Sequence, residues 1–268
     1  MPSVPSPLFV PDWYNFARNA DESARPGDWD GLEYLFAFFP GGDKLFEFSG
    51  HGRDGTLTDM DPATDWTVGE MGYQLDFAVA APNDYIDFPI TTIDNAHGSI
   101  VLTFNYVTFN TTMLGRSTST QNILRASTST NINLRGDTGG TQHNFTIPTI
   151  AEGEWHRLVV TMDQNDYRVY LDGLESTTGA ISTASGHNFT IDNIGRFNGG
   201  STIAYAGSFA ETMRFYDRPL SAVEIQEIYN DPWGILRPKR RIFGFDQAVA
   251  AAARRRVGVG GGGRAMVM

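Results

Sequence analysis

The stretch "EWHRLVVTMDQNDYRVYLDG", residues 154–173, decides how the rest of the chain is read. In "RLVVTM" and "YRVYLDG" one face is apolar while the other varies, the period-2 pattern of a half-buried strand. Between them "DQNDY" supplies Asp and Asn, which tolerate turn conformations, so the two runs should close into a hairpin.

Working outward, the same pattern recurs on both sides. "LEYLFAFF", "YQLDFAV", "DYIDFP", "SIVLTFNYVTF", "QNILRAS", "NINLRG", "HNFTIP", "NFTIDNIGRF" and "GSFAETMRFY" are all strand-like. "SGHGRDGT" and "MDPATDWTVGEMG" are turn-rich. Short strands at regular spacing with Gly, Asn and Asp between them predict an all-β sandwich or barrel. "RSTSTQNILR" and "RASTSTNINLR" echo one another at about ten residues, too short for a solenoid unit; they predict two adjacent strands with Ser/Thr-rich turns. One helix is expected at "SAVEIQEIY", where Ser221 and Glu224 form a capping box ahead of Val223, Ile225 and Ile228.

Of the 268 residues, 41% are hydrophobic and 12% aromatic, enough for a substantial core. There is no cysteine, which excludes disulfides, thiolate chemistry and Cys-based zinc sites. The net charge of −11 is unevenly spread: from Arg237 onward the chain carries +7, so the preceding 236 residues carry −18. A body so acidic is a poor match for nucleic acid. "RPKRR" and "ARRR" in the tail could touch phosphates, but without interleaved aromatics no sequence reading is expected. No run of about 18 apolar residues occurs, so no membrane-spanning helix is expected. The start, "MPSVPSPLFVPDWYNF", lacks the pattern of a secretory signal.

The hairpin stretch, followed by "IGRF" and "MRFYDRPLSAVEIQEIY", resembles the concanavalin A-like (laminin G-like) jelly-roll superfamily. "FSGHGRDGTLTDMDPATDW" and "YQLDFAVAAPNDYIDFP" resemble the front half of such domains, and the likeness runs from Asp30 to Tyr229 in the family's order. The resemblance implies two antiparallel sheets. An N-terminal arm (1–29), a jelly-roll domain (30–230) and a basic C-terminal arm with a Gly-rich tail (231–268) are therefore expected. The flanks "NADESARPGDWDGL" and "DPWGILRPKRR" resemble those of a subset found in phage and prophage-like proteins.

Four consequences follow from the resemblance. Family members often hold a structural Ca²⁺, and the matching positions are Glu47, Asp54 and Glu211; Arg53 stands where Asn is usual. Glycan binding is frequent on this fold, through stacking aromatics and hydroxyl-bonding polar groups, and the candidates are Trp66, Asn83, Asp84, Tyr85, Asn198 and Tyr205. Hydrolysis would need two carboxylates roughly 5–10 Å apart, most simply supplied by period-2 spacing on one strand; no such pattern occurs, and Asp76 and Asp87 fall on different segments, so no enzyme is expected. His156 beside Trp155 is architectural in the family, and His51, His97, His143 and His187 show no zinc-type spacing. Trp233, Ile235, Leu236, Arg237, Lys239, Arg240, Arg241 and Phe243 are read as an assembly anchor onto a sister subunit or another virion protein. The expected role is thus a non-enzymatic virion component, a capsid decoration or fibre-type homo-oligomer displaying a lectin-like sandwich. The alternative is a carbohydrate-binding adhesion module at a bacterial surface or outside the cell.

Overall fold

The structure is a computed structural model that describes residues 26–77, 84–94, 96–136, 142–164, 166–176, 188–196 and 205–236. Its strands are β1 Leu32–Ala37, β2 Lys44–Leu45, β3 Gly55–Thr58, β4 Trp66–Gly69, β5 Gly72–Phe77, β6 Tyr85–Ile93, β7 His97–Tyr106 and β8 Thr111–Arg116. They continue as β9 Ser119–Thr128, β10 Asn131–Arg135, β11 Gln142–Thr146, β12 His156–Asp163, β13 Asp166–Leu171, β14 Leu174–Glu175, β15 Phe189–Ile194 and β16 Gly207–Tyr216. Two short helices join them, α1 Pro26–Trp29 and α2 Ala222–Asn230, with a 3-10 turn at Gly234–Leu236.

The first sheet runs β14-β13-β12-β7-β16-β5-β4, with β1 also on β16; the second runs β11-β10-β9-β8-β15-β6-β3-β2. β12 and β13 form the expected hairpin, in register from Leu158 opposite Leu171 to Asp163 opposite Asp166, with Gln164 in the left-handed region at the turn (φ 55). The two echoing segments lie side by side as β9 and β10. The turn-rich reading missed β3 and β4, and β8 was missed too. "WTVG" has too few apolar residues for a period, and "TTMLGR" carries its apolar pair without alternation.

Alternation assigns the two sides of each strand. Leu124, Ile132, Leu134, Ile86, Phe88, Ile191 and Ile194 from the second sheet meet Ile100, Leu102, Phe104, Leu158, Val160 and Phe209 from the first in one core. Each such side chain, fully buried, contributes roughly 1.5–3 kcal/mol. The outward side of the first sheet is also apolar. Leu35, Ala37, Val101, Val159 and Tyr170 are covered there by Ile225 and Ile228 of α2, by Leu220, and by Ile235 and Leu236 of the 3-10 turn. Helix α2 starts as the sequence predicts: the Ser221 side chain accepts from the Glu224 amide while Glu224 accepts from the Ser221 amide at 2.8 Å.

This cover corrects one expectation. Trp233 stacks on Phe39 (centroids 4.9 Å apart, planes at 20°), and Ile235 and Leu236 are buried in the second core. These three anchor residues meet their own domain, because a nine-residue α2 cannot by itself cover the apolar outer side of eight strands. Pro232 adds its carbonyl to the fully buried Arg214 guanidinium. Arg237, Lys239, Arg240, Arg241 and Phe243 lie outside the described residues.

β16 is the spine of the first sheet. Its first half pairs with β5 and its second half with β1, while β7 flanks it on the other side. Between Ala210 and Arg214 the ladder to β7 slips, and Glu211 takes a left-handed conformation (φ 59) at this bulge.

A polar face on the second sheet as the candidate functional site

With the apolar part of the first sheet's outer side covered by α2, the outward side of the second sheet is the other broad face of the sandwich. It is polar because each strand there alternates. Asp87 lies between the inward Ile86 and Phe88, Asn193 precedes Ile194, and Arg125 and Asn133 are register neighbours of the inward Leu124–Leu134 pair. The register sets up a row across six strands: Arg135, Ile123, Gly115, Asn193, Asp87 and Thr56, ending at Lys44 on a seventh. Gly115 puts no side chain into the middle of that row, and it is buried together with its row neighbours Ile123 and Asn193.

Side-chain hydrogen bonds fix the row. The fully buried Asn193 donates its amide to Asp87 Oδ1 (2.8 Å) and to Asp192 Oδ1 (3.0 Å). Thr58 reaches Asp87 Oδ2 at 3.4 Å, and Lys44 Nζ donates to Thr56 at 2.7 Å. Asp192 also accepts from the Ser117 amide and hydroxyl, both at 2.7 Å. At the far end, Arg125 Nε donates to Asn133 Oδ1 (3.1 Å), and Asn133 Nδ2 donates to Asn144 Oδ1 (2.6 Å). Burial raises the Asp87 carboxyl above its ordinary value, and the Arg196 charge and the Asn193 hydrogen bond offset this only in part. Burial, and then the Arg135 charge, lower Arg125.

The sequence-selected glycan residues separate. Tyr85 belongs to this face, opposite Thr58, and the Arg196 guanidinium lies 3.3 Å from its ring centroid. That face of the ring is therefore occupied, and a sugar would meet the guanidinium plane stacked upon it. Asp84 is buried beside it. Trp66 sits at the edge of the opposite sheet, its indole donating to the Gly42 carbonyl at 3.0 Å. Tyr205 is a core residue stacked on Phe209, with its hydroxyl given to the Asn105 carbonyl. Asn83 and Asn198 lie outside the described residues. Asp87, Asn193, Arg196, Arg125, Asn133 and Asn144 were missed as binding residues; for Asp87, Arg125 and Asn133 the signal is the polar residue between two apolar ones in "IDF", "LRA" and "INL".

The proposed calcium ligands do not assemble. Glu211 gives both oxygens to Arg157 (2.5 and 2.7 Å), and Oε2 also accepts from Thr103 (2.8 Å). Glu47 Oε1 accepts the Leu35 and Ser49 amides, and Asp54 accepts the Glu47 amide. The bulge at Glu211 turns this carboxylate to a guanidinium. Among the described residues no three His, Asp or Glu side chains group to hold a metal ion. His156 is architectural: its Nδ1 meets Asp172 Oδ2 at 2.9 Å, while Asp172 Oδ1 accepts the Arg157 amide.

Against this geometry the comparisons can be set. The family model of the concanavalin A-like lectin/glucanase superfamily (Laminin_G_3) matches residues 81–226. The chain belongs to that superfamily. Solved structures of the same fold include domain 4 of AbnA, a GH43 extracellular arabinanase from Geobacillus stearothermophilus, in complex with arabinotriose. It is 18% identical with a TM-score of 0.53, and the match covers 74% of this chain and 98% of that domain. The binding domain of Paraclostridial Mosquitocidal Protein 1 follows at 12% identity, TM-score 0.54, covering 76% and 53%. Trypanosoma rangeli sialidase gives 13% and 0.53, covering 83% of this chain but only 38% of the sialidase. At these identities the likeness shows the fold alone. No curated protein sequence matches significantly.

Proposed function

We propose that this superfamily member is a non-enzymatic carbohydrate-binding domain that takes its saccharide on the outward face of the second sheet. The observation that carries this is the half-buried pair Asp87 and Asp192, oriented by hydrogen bonds from the buried Asn193, with Thr56, Thr58 and Lys44 alongside. Such a preorganised row suits the hydroxyls of a sugar, and the Arg196–Tyr85 stack offers a flat wall beside it. A binding role suits Asp87 and Asp192 better than hydrolysis, since the oxygens of each are engaged by Asn193, Thr58 or Ser117. A structure of this fold with a bound arabinotriose is in keeping with the reading.

Glycan-array binding of the full chain and of the Asp87→Ala and Asn193→Ala variants tests it. Binding that both variants abolish without unfolding supports the proposal; binding that survives both places the ligand elsewhere. Attachment to a virion through the basic segment from Arg237 is the second reading, favoured by the +7 charge there against −18 in the body. Light scattering on the full chain and on one stopped after Leu236 tests that reading. A defined oligomer that becomes monomeric on truncation supports it, and two monomers count against self-assembly.

A further inference from the structure

We infer that the sandwich carries a second saccharide site, for a neutral glycan, on the outer side of the first sheet beside the end of the α2 cover, with Trp155 as its stacking platform. This goes beyond the reading above, which seats a saccharide on the other sheet, and it stands on different residues. Among the described tryptophans, Trp66 packs on the core between the sheets, and Trp29 and Trp233 pack on the second core. Trp155 joins neither. It is half-buried, and among the described residues its indole N–H donates no hydrogen bond and its ring meets no other aromatic. A large, rigid ring with one polar handle, employed by no core, is the kind of surface on which a sugar face stacks.

Alternation gives the direction of this side chain. On β12, Leu158 and Val160 face the core between the sheets, while Val159 faces the second core and Arg157 holds Glu211 on that outer side. Trp155 continues the outward series, one residue before His156, which pairs with Phe104. The neighbouring strands carry the row onward. Asn105 follows Phe104 on β7 and stands opposite Ser208 on β16, and Ser208 stands opposite Asp76 on β5. Phe104, Phe209 and Leu75, adjoining these three residues, lie in the inward core, so Asn105, Ser208 and Asp76 share the outer side with Trp155.

The row is set for hydroxyl groups. Asp76 accepts from Ser208 Oγ (2.5 Å), Thr67 Oγ1 (2.8 Å) and Gln74 Nε2 (2.9 Å). An ionised carboxylate has about four acceptor positions, so one remains for a ligand. Asn105 spends a single N–H, at 3.4 Å from the Gly153 carbonyl, and among the described residues its other N–H and its oxygen are unengaged. Trp155, Asn105, Asp76, Gln74 and Thr67 are each half-buried, and Ser208 is buried between Asn105 and Asp76. From β12 to β5 the row crosses three strand spacings, roughly 14 Å at about 4.8 Å each, a span for a short oligosaccharide. Its charged member is Asp76, and the exposed Glu152 and Glu154 precede Trp155, so like-charge repulsion selects against uronate and sulfated chains and leaves neutral ones.

The test is an array of neutral oligosaccharides on the full chain, then calorimetry of each captured glycan with the wild type and with Trp155→Ala, Trp155→Phe, Asn105→Ala and Asp87→Ala. At least one glycan should bind Trp155→Ala about tenfold or more weakly, since truncating a buried-on-binding tryptophan removes a dominant contact. Trp155→Phe should keep more of that affinity than Trp155→Ala, Asn105→Ala should weaken the same glycan, and Asp87→Ala should leave it unchanged. That glycan should also shift the tryptophan emission of the wild type and leave the emission of Trp155→Ala where it was. The melting temperature of Trp155→Ala should stay in place, because Trp155 packs in neither core; should that variant fail to fold, Asn105→Ala and the emission shift decide. If every captured glycan keeps its affinity in Trp155→Ala and Asn105→Ala, or if the array captures none, the site is overturned. Binding lost in Asp87→Ala alone removes this site and leaves the one on the second sheet, and binding lost in Trp155→Ala alone does the reverse.

Discussion

Replacing Glu211 tests whether the bulge in β16 holds a buried ion pair that matters. The Glu211 side chain is 5% exposed and that of Arg157 is 22% exposed, with two short guanidinium contacts and a third bond from Thr103. An exposed pair would be worth at most about 1 kcal/mol. Breaking a buried one costs about 3–5 kcal/mol, because the surviving charge stays desolvated. The partial exposure of Arg157 sets the expectation for Glu211→Ala at the lower end, about 3 kcal/mol. Urea unfolding should report it as a lowered midpoint with an unchanged slope.

Two companion variants separate the causes. Glu211→Gly should be more stable than Glu211→Ala by about 1 kcal/mol, because glycine adopts the left-handed backbone of residue 211 without strain. Joining Glu211→Leu to Arg157→Met should cost well under the sum of the two single changes, since no charge is then stranded. A midpoint unmoved by Glu211→Ala, or strictly additive single changes, would refute the reasoning. Saccharide binding on the second sheet should be unaffected throughout, since the pair lies on the other sheet.

Four further outcomes are expected. The folded Asp87 carboxyl lies above its unfolded value, so its contribution is favourable at pH below the unfolded pKa and is lost as pH rises through the folded one; Asp87→Asn should therefore raise the unfolding midpoint at pH 7 while weakening saccharide binding, and a lowered midpoint would contradict this. Gly207→Ala should cost about 3 kcal/mol or more, since φ is +146° and a Cβ would sit 2.1 Å from the Asn105 carbonyl oxygen; near-native thermal unfolding would sink the idea. Burial, aided by Glu152 and Glu154, pushes Tyr106 up to about 12, so the stability this phenol contributes is full below pH 10 and lost as pH climbs through about 12; phenolate absorbance should lag that of free tyrosine and rise with unfolding. Ser221→Ala should remove the α2 cap at a cost of about 1 kcal/mol, read from the same urea midpoint.

The fold was legible where alternation is long. "RLVVTM" and "YRVYLDG" carry enough apolar positions to fix a face, and the Ser221–Glu224 box needs only four residues to be recognised. β8 and β4 were not legible, because strands of six and four residues with Gly and Thr among them hold too few apolar positions to show a period. The site was largely hidden for a related reason. Aromatics were taken as sugar platforms, yet Tyr205 is core and Trp66 is bonded to the Gly42 carbonyl at the edge of the other sheet. The row across β10, β9, β8, β15 and β6 joins residues from Asp87 to Asn193, and only strand order brings them side by side. Tyr85 alone among the described aromatic candidates landed on that face, through its chain neighbour Asp87.

The pairing of β1 with β16 has a mechanical meaning. Leu32 lies opposite Tyr216 and Ala37 opposite Thr212, so the incoming end of one strand sits beside the outgoing end of the other. Tension pulling those adjacent ends apart would open such a ladder one rung at a time, the geometry in which hydrogen bonds resist force least. The chain does not leave there. It turns through α2 and folds back until Pro232 accepts from Thr212 and Arg214, Trp233 stacks on Phe39, and Ile235 and Leu236 are packed away. Under load this latch must be dislodged before the zipper can start, which makes the segment Asp231–Leu236 the element that keeps a peelable seam shut.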